Sequence, residues 1–258
     1  MIDSYVTGGS GYIGSRLCDR LEGHVDAIPN AQLSTHRFQG HRRFFWLSTY
    51  GNMVGQDNQF TLWQSNIFNI INVLHELLLN PPFSHFLFVS SSSVLLPVQT
   101  PYSRTKKACE EILMSLKEFP SCIVRPFSVV GVGEQRQHLI PTLIRSCFEG
   151  EPMEFVPDAT HDYIDVEDVV TGMMILSKIE ARGIYEFGNR IAISNEEVRR
   201  LVEDVTGRKA NIVSVGKLRE YDNPDWCCKT PNDYWQPTKS LRQSIIEMVV
   251  QYRNEYGA

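Results

Sequence analysis

Thr7-Gly8-Gly9-Ser10-Gly11-Tyr12-Ile13-Gly14 opens the chain with glycines recurring at 8, 11 and 14. Ser4-Tyr5-Val6 before it reads as a short apolar strand, and Ile13, Leu17 and Leu21 after it recur at the four-residue spacing of a helix face. The stretch is therefore the turn between a first strand and a first helix. At such a turn the first glycine permits the tight bend, the second lets a pyrophosphate approach the backbone, and the third lets helix and strand pack closely. The helix start then faces the phosphates with unpaired N–H groups. Gly8, Gly11, Tyr12, Ile13 and Gly14 are the expected contacts of a dinucleotide.

Outward from that turn, apolar runs alternate with helical periodicity to the end of the chain. Gly23 to Asn30 carries a second strand ending Ala27-Ile28-Pro29-Asn30, without the carboxylate that selects NAD through a ribose hydroxyl. Arg16 in the first helix and Arg37 further on are placed to meet a 2′-phosphate. The cofactor is thus expected to be NAD or NADP, with a lean to NADP, and Arg16 and Asn30 are assigned to its adenosine end. Residues 31–43 are polar, so the usual second crossover is cut to a loop and the sheet is shortened on that side. Phe44 to Leu47 is a buried-strand run, followed by Ser48-Thr49-Tyr50-Gly51-Asn52 at the ligand end of a parallel strand. Leu47 and Ser48 are assigned to the cofactor and Asn52 to substrate.

Trp63, Ile67, Ile70, Ile71, Leu74 and Leu78 form a helical stripe, read as core, that stops at Asn80-Pro81-Pro82. Phe86 to Val89 is a strand running into Ser90-Ser91-Ser92-Ser93, and a helix begins near Tyr102. Ile123 to Pro126 and Ile184 to Phe187 are further strands. Helical faces follow at Leu139 to Phe148, at Glu167 to Ser177, after a Ser194/Glu197 capping box, and after a Ser240/Gln243 box. Strands alternating with helices predict an α/β fold, a doubly wound parallel sheet of Rossmann type with a small C-terminal substrate-binding lobe. Residues 1–127 are expected to form the dinucleotide-binding domain. Residues 128–258 supply the remaining elements of that fold, interleaved with the lobe.

Composition excludes several classes. A net charge of -5, from 25 basic and 30 acidic residues, offers no footprint for nucleic acid, and His41-Arg42-Arg43 is the one short basic cluster. The six cysteines show no CxxC spacing, which reads as reduced thiols rather than a metal site or a disulfide framework. No apolar run approaches the roughly 20 residues needed to span a bilayer. The expected setting is the cytoplasm, and the expected partner is a small molecule.

The chemistry is expected at Tyr102-Ser103-Arg104-Thr105-Lys106, which puts a phenol and an ammonium one helical turn apart on one face. A nearby cation favours the phenolate, which predicts Tyr102 as an acid or base close to neutral pH, while Lys106 also reaches a nicotinamide ribose. A serine hydroxyl at the end of the preceding strand can hydrogen-bond a substrate oxygen while Tyr102 moves its proton and the nicotinamide moves hydride.

With glycine turn, serine-ended strand and Tyr-x-x-x-Lys in this order, the chain resembles the extended short-chain dehydrogenase/reductases, the NAD-dependent epimerase/dehydratase family. Arg125-Pro126-Phe127-Ser128-Val129-Val130-Gly131 is similar to the family's strand and turn near the nicotinamide. His161-Asp162-Tyr163-Ile164-Asp165-Val166-Glu167-Asp168-Val169 is similar to its Arg-Asp-Phe-Ile-x-Val-x-Asp-Val segment, and Tyr234-Trp235-Gln236-Pro237-x-x-Ser240-Leu241 to its Gly-Trp-x-Pro-x-x-Ser-Leu ending. The resemblance implies Ser91, Tyr102 and Lys106 as catalytic residues, with Ser92 the alternative serine one position on. It implies Pro126 and Phe127 at the cofactor, and Ser92, Ser128 and His161 at the substrate, with no metal. His161 replaces the arginine that often grips a nucleotide diphosphate. Ser92-Ser93 replaces the acid pair of sugar 4,6-dehydratases, which argues against elimination of water. The implied activity is that of a nucleotide-sugar 4-epimerase or ketoreductase using NAD or NADP. Reduction of a small non-sugar carbonyl, and dinucleotide sensing without catalysis, are the alternatives. The short loop from Ser93 to Tyr102 leaves an open site that a homodimer would help cover.

Overall fold

The computed structural model describes residues 2–33, 36, 38, 43–52, 55–56, 58–79, 83–218, 222, 226–231 and 233–257. Arg37 and the Asn80-Pro81-Pro82 stop lie outside the described residues, as do His41 and Arg42. In chain order the first elements are β1 (Ile2–Thr7), α1 (Tyr12–Arg20), β2 (His24–Ile28), β3 (Arg43–Trp46), α2 (Gln59–Trp63), a π-turn (Gln64–Phe68), α3 (Asn69–Leu79), β4 (His85–Val89), α4 (Pro101–Ser115) and β5 (Ser121–Pro126). Then come β6 (Ser128–Val130), α5 (Leu139–Glu149), β7 (Met153–Phe155), β8 (Thr160–His161), β9 (Tyr163–Asp165), α6 (Val166–Lys178), β10 (Gly183–Phe187), β11 (Ile193–Ser194), α7 (Asn195–Thr206), β12 (Ile212–Val215) and α8 (Leu241–Tyr256). They form two compact units, Met1–Pro126 with Val170–Glu186, and Phe127–Val169 with Phe187–Ala258.

The first unit holds the main sheet, in the order β10-β5-β4-β3-β1-β2. The pairs from β2 through β1, β3 and β4 to β5 are all parallel. Sheets of this kind are covered on both faces, which is why Phe44-Phe45-Trp46 and Phe86-Leu87-Phe88 read as continuous apolar runs and are wholly buried. Phe44 lies opposite Phe86, their rings stacked at 5.1 Å. Among the described residues between β2 and β3 there is a short 3-10 turn, Asn30–Gln32, and no α-helix. β2 is accordingly the edge strand, the shortening predicted from the polar stretch after it.

One expectation about packing fails. Ile70 and Leu74 of the apolar stripe are buried, together with Val73 and Leu77, but Trp63, Ile71 and Leu78 are at least two-fifths exposed. Ile71 and Leu78 lie on the same helix as Ile70, Val73, Leu74 and Leu77 but outside the face that packs inward, so the apolar stripe is wider than the buried face.

The second unit is built on short strand pairs, β6 with β9, β7 with β12, and β8 with β11. Helices α5, α7 and α8 pack together over a core that includes Val130, Leu143, Val198, Val202, Ile245 and Val249. Both predicted capping boxes are formed, at Ser194/Glu197 and at Ser240/Gln243. Asp168 accepts from the amides of Thr238 and Lys239 at 3.0 Å, and Ser244 donates to Asp165 at 2.6 Å. The acidic segment and the C-terminal segment are therefore locked to each other.

Candidate active site

β1 delivers the chain to the glycine turn at the point where strand order reverses, with β2 on one side of it and β3 on the other. Open α/β sheets bind ligands at such a crevice. Gly8 has φ +72, and a Cβ on it would come within 2.9 Å of the Ser48 amide nitrogen. A Cβ on Gly14 would lie 2.0 Å from the Gly8 carbonyl oxygen, so only glycine lets α1 seat this closely on the turn. Gly11 is the extended N-cap residue of α1, and no side chain caps the helix there. First-turn amides without a side-chain cap, at the positive end of a helix dipole, suit a pyrophosphate. Thr7 Oγ1 accepts from the amides of both Leu47 and Ser48 at 3.2 Å, which pins the end of β3 to the end of β1. Arg16 donates to the Tyr12 carbonyl at 2.8 Å and lies over the Tyr12 ring at 4.9 Å. Asn30 is exposed at the start of the 3-10 turn, and Asn52 is exposed beyond β3. The residues at this turn fit a dinucleotide.

The serine run and the Tyr-x-x-x-Lys helix meet in the same unit. Ser91 caps a 3-10 turn, Ser92–Leu95, its Oγ accepting from the Ser93 amide at 3.2 Å and from the Ser93 hydroxyl at 2.9 Å. Thr100 caps α4 and Pro101 occupies its first turn, which sets Tyr102 at the helix start and Lys106 one turn on. The hydroxyls of Ser91 and Thr49 favour the ionised form of the Tyr102 phenol. Ser92 is instead buried within its turn.

The phenol does not titrate as its neighbour in sequence suggested. Burial pushes Tyr102 up to about 12, against the pull of Thr49 and Ser91. Lys106 does not offset this, because its Nζ is committed to the Val89 carbonyl at 2.8 Å, with the Tyr102 ring centroid 5.9 Å away. Burial in turn lowers Lys106 to about 8, while Cys109 and Glu110 oppose the shift. Glu110 itself forms a two-bond pair with Arg125, at 2.9 and 2.6 Å, that ties α4 to β5.

Sequence reasoning missed Asn66 and Thr49. Asn66, in the π-turn, is 2% exposed and holds two segments at once. Its Oδ1 accepts from the Tyr50 amide at 2.8 Å, and its Nδ2 donates to the Tyr50 carbonyl and to Thr105 Oγ1, both at 2.9 Å. Thr105 Oγ1 bonds the Tyr102 carbonyl at 2.8 Å, so one amide fixes both the loop after β3 and the start of α4. An asparagine amid apolar helical residues was the one available signal.

Pro126 ends β5 and is buried. In the second unit Phe127 is buried, its amide bonded to the Phe187 carbonyl at 2.9 Å and its ring 5.2 Å from that of Trp226. Ser128 Oγ lies 3.1 Å from His161 Nδ1, so these two predicted substrate contacts are brought together. The neighbouring Asp162 is spent on structure, accepting from the amides of Asn189, Arg190 and Cys228 at 2.7 to 2.9 Å. Among the described residues no group of histidine, cysteine and acidic side chains is arranged to hold a metal, and no helix is long and apolar enough to cross a membrane.

Residues 47–188 match the model of the NAD dependent epimerase/dehydratase family. No curated protein sequence is significantly similar to the chain. Solved structures share its fold at low identity. MoeE5 in complex with UDP-glucose and NAD is 21% identical with a TM-score of 0.87, over 98% of this chain and 99% of that one. UDP-N-acetylglucosamine 4-epimerase from Methanobrevibacter ruminantium M1, in complex with UDP-N-acetylmuramic acid, is 19% identical with a TM-score of 0.87, over 99% and 100%. RMD from Pseudomonas aeruginosa, complexed with NADPH, is 19% identical with a TM-score of 0.78, over 99% and 100%.

Proposed function

Since the chain belongs to the NAD dependent epimerase/dehydratase family, we propose that it moves hydride reversibly at a sugar carbon of a nucleotide sugar, as a 4-epimerase in the first place and a ketoreductase in the second. The observation that carries this reading is the Tyr102 phenol with the Ser91 hydroxyl beside it and Lys106 one turn further along the same helix. When bound, a nicotinamide dinucleotide supplies the acceptor and donor of that hydride. Its pyrophosphate is assigned to the first turn of α1 at Gly11 to Ile13, and its ribose to Lys106. The absence of an acid at the end of β2, with Arg16 in α1 as a charge for a 2′-phosphate, supports binding of NADP at least as well as NAD. Fold relatives have been seen with either NAD or NADPH.

In this reading Tyr102 takes the proton of the sugar hydroxyl as hydride leaves the carbon, and returns it on the reverse step. Ser91 hydrogen-bonds the same oxygen and steadies the charge that develops on it. Ser128 and His161 are assigned to the nucleotide, the imidazole standing in for an arginine on the diphosphate. Residues 1–127 carry the dinucleotide, and a lobe within 128–258 carries substrate specificity. Six unpaired cysteines support a reducing compartment such as the cytoplasm. Phe60, Trp63, Ile71 and Leu78, all at least two-fifths exposed, support a homodimer that covers the α2 and α3 face. Sedimentation of the purified chain tests that assignment.

A panel of UDP-, TDP- and GDP-sugars incubated with the protein and either dinucleotide tests the activity. Conversion to the C4 epimer without net change in nicotinamide absorbance is the result expected of an epimerase. Stoichiometric oxidation of NADPH by a keto-sugar identifies the reductase instead. Turnover of small carbonyls alone, which the loss of the diphosphate arginine at His161 would favour, overturns the nucleotide-sugar assignment.

A further inference from the structure

A hydroxyl that is to hydrogen-bond a substrate oxygen must send its single proton outward, and the turn that carries Ser91 bears on where that proton goes. Ser91 Oγ accepts from the Ser93 amide at 3.2 Å, and an amide N–H can only donate, so that contact has one polarity. The Ser93 hydroxyl lies 2.9 Å from the same oxygen, and Ser91 Oγ is its one side-chain partner among the described residues. Two accepted bonds and the Cβ fill three of the four tetrahedral positions around Ser91 Oγ. The fourth is left to its own proton. The backbone holds the two hydroxyls against each other, because the Val94 amide donates to the Ser91 carbonyl and the Leu96 amide to the Ser93 carbonyl, both at 3.2 Å.

We infer that Ser93 is a positioning residue for Ser91: by donating to Ser91 Oγ, the Ser93 hydroxyl holds the Ser91 proton outward as a donor to the carbonyl oxygen that forms at the sugar carbon. The inference rests on the reading of Ser91 as the group that hydrogen-bonds that oxygen. Two hydroxyls can pair in either sense, and the reverse sense would spend the Ser91 proton on Ser93. A carbonyl oxygen carries no proton and can only accept, so its presence selects the sense in which Ser93 donates. Donors in series also polarise one another, which makes the Ser91 proton a better donor as charge grows on the sugar oxygen. Removing the Ser93 hydroxyl leaves the amide contact in place and frees one tetrahedral position, so the Ser91 proton gains a second, unproductive direction.

The test is single-turnover hydride transfer in the dinucleotide-loaded protein, with whichever UDP-, TDP- or GDP-sugar turns over, compared for wild type, Ser93→Ala, Ser93→Thr, Ser91→Ala and the Ser91→Ala/Ser93→Ala double variant. The net worth of a neutral hydrogen bond puts the expected loss for Ser93→Ala at about three- to tenfold in rate, with the dissociation constants of sugar and dinucleotide unchanged. Ser93→Thr retains the donor and should follow wild type. In the Ser91→Ala background, loss of the Ser93 hydroxyl should have no further effect, since no proton is left to orient. Should Ser93→Ala fail to fold, Ser93→Cys, with its weak S–H donor, carries the same comparison. A wild-type rate in the hydroxyl-free variant, Ser93→Thr as slow as Ser93→Ala, or a loss that persists undiminished in the Ser91→Ala background overturns the inference, while a slow Ser91→Ala leaves the catalytic reading standing. Ser91→Ala at the wild-type rate, or a protein inert toward every sugar of the panel, overturns both.

Discussion

Replacing Lys106 by methionine should stabilise the folded chain at neutral pH while weakening its hold on a dinucleotide. Lys106 is 3% exposed, and burial lowers it from the ordinary lysine value of 10.5 to about 8. That gap corresponds to about 3 kcal/mol of penalty for keeping the ammonium charged in the folded state. Because the folded value lies below the unfolded one, the unfolded chain binds more protons between the two, and stability rises with pH across that window. Below about 8 the penalty is felt in full, and above 10.5 it is gone. Methionine fills a similar volume without charge but leaves the Val89 carbonyl without its 2.8 Å partner, which returns about 1 kcal/mol. The expected net gain is about 2 kcal/mol near pH 7, disappearing as the pH approaches the unfolded lysine value. Urea unfolding of both proteins at a series of pH values, read by tryptophan fluorescence, measures it as a shift in midpoint at constant slope. A Lys106→Met protein that is no more stable than wild type near neutrality, with a difference that does not vary with pH, would refute the placement of a strained ammonium at this site.

Two further outcomes follow from the packing. Gly14→Ala puts a carbon 2.0 Å from the Gly8 carbonyl oxygen, so the turn must be rebuilt, and calorimetry should show loss of dinucleotide binding together with a lower melting temperature. Retained affinity would place the pyrophosphate elsewhere. Glu110→Gln breaks a pair whose carboxylate side chain is 1% exposed and strands Arg125, which should cost about 3–5 kcal/mol by denaturant titration, and a change below about 1 kcal/mol would mean that the pair is no more than a surface contact.

The glycine turn and the Tyr102/Lys106 spacing were legible because each is a local pattern whose geometry is set within one turn of chain. The shortened sheet edge was legible for the same reason, since residues 31–43 lack the apolar period of a helix. Reading failed where apolar residues extend beyond the face that packs: Ile70, Val73, Leu74 and Leu77 are buried while Trp63, Ile71 and Leu78 are exposed, and the polar Asn66 is buried instead. The titration of Tyr102 was misread because spacing brings Lys106 near the ring but does not reveal that the Val89 carbonyl holds the ammonium. Thr49 was hidden for a third reason. A threonine after a strand carries no signal until the fold brings it to a helix more than fifty residues away in sequence.

Single-turnover hydride transfer, followed at the nicotinamide absorbance band with whichever nucleotide sugar reacts, bears most directly on the claim that Ser91, Tyr102 and Lys106 act on one carbon. Tyr102→Phe removes the proton carrier and keeps the ring, so its rate should fall by roughly 10²–10⁴ with dinucleotide affinity nearly intact. Adding Ser91→Ala to that variant should make it little worse, because groups that work as a unit are not additive. Hydride transfer at the wild-type rate in Tyr102→Phe would contradict the account.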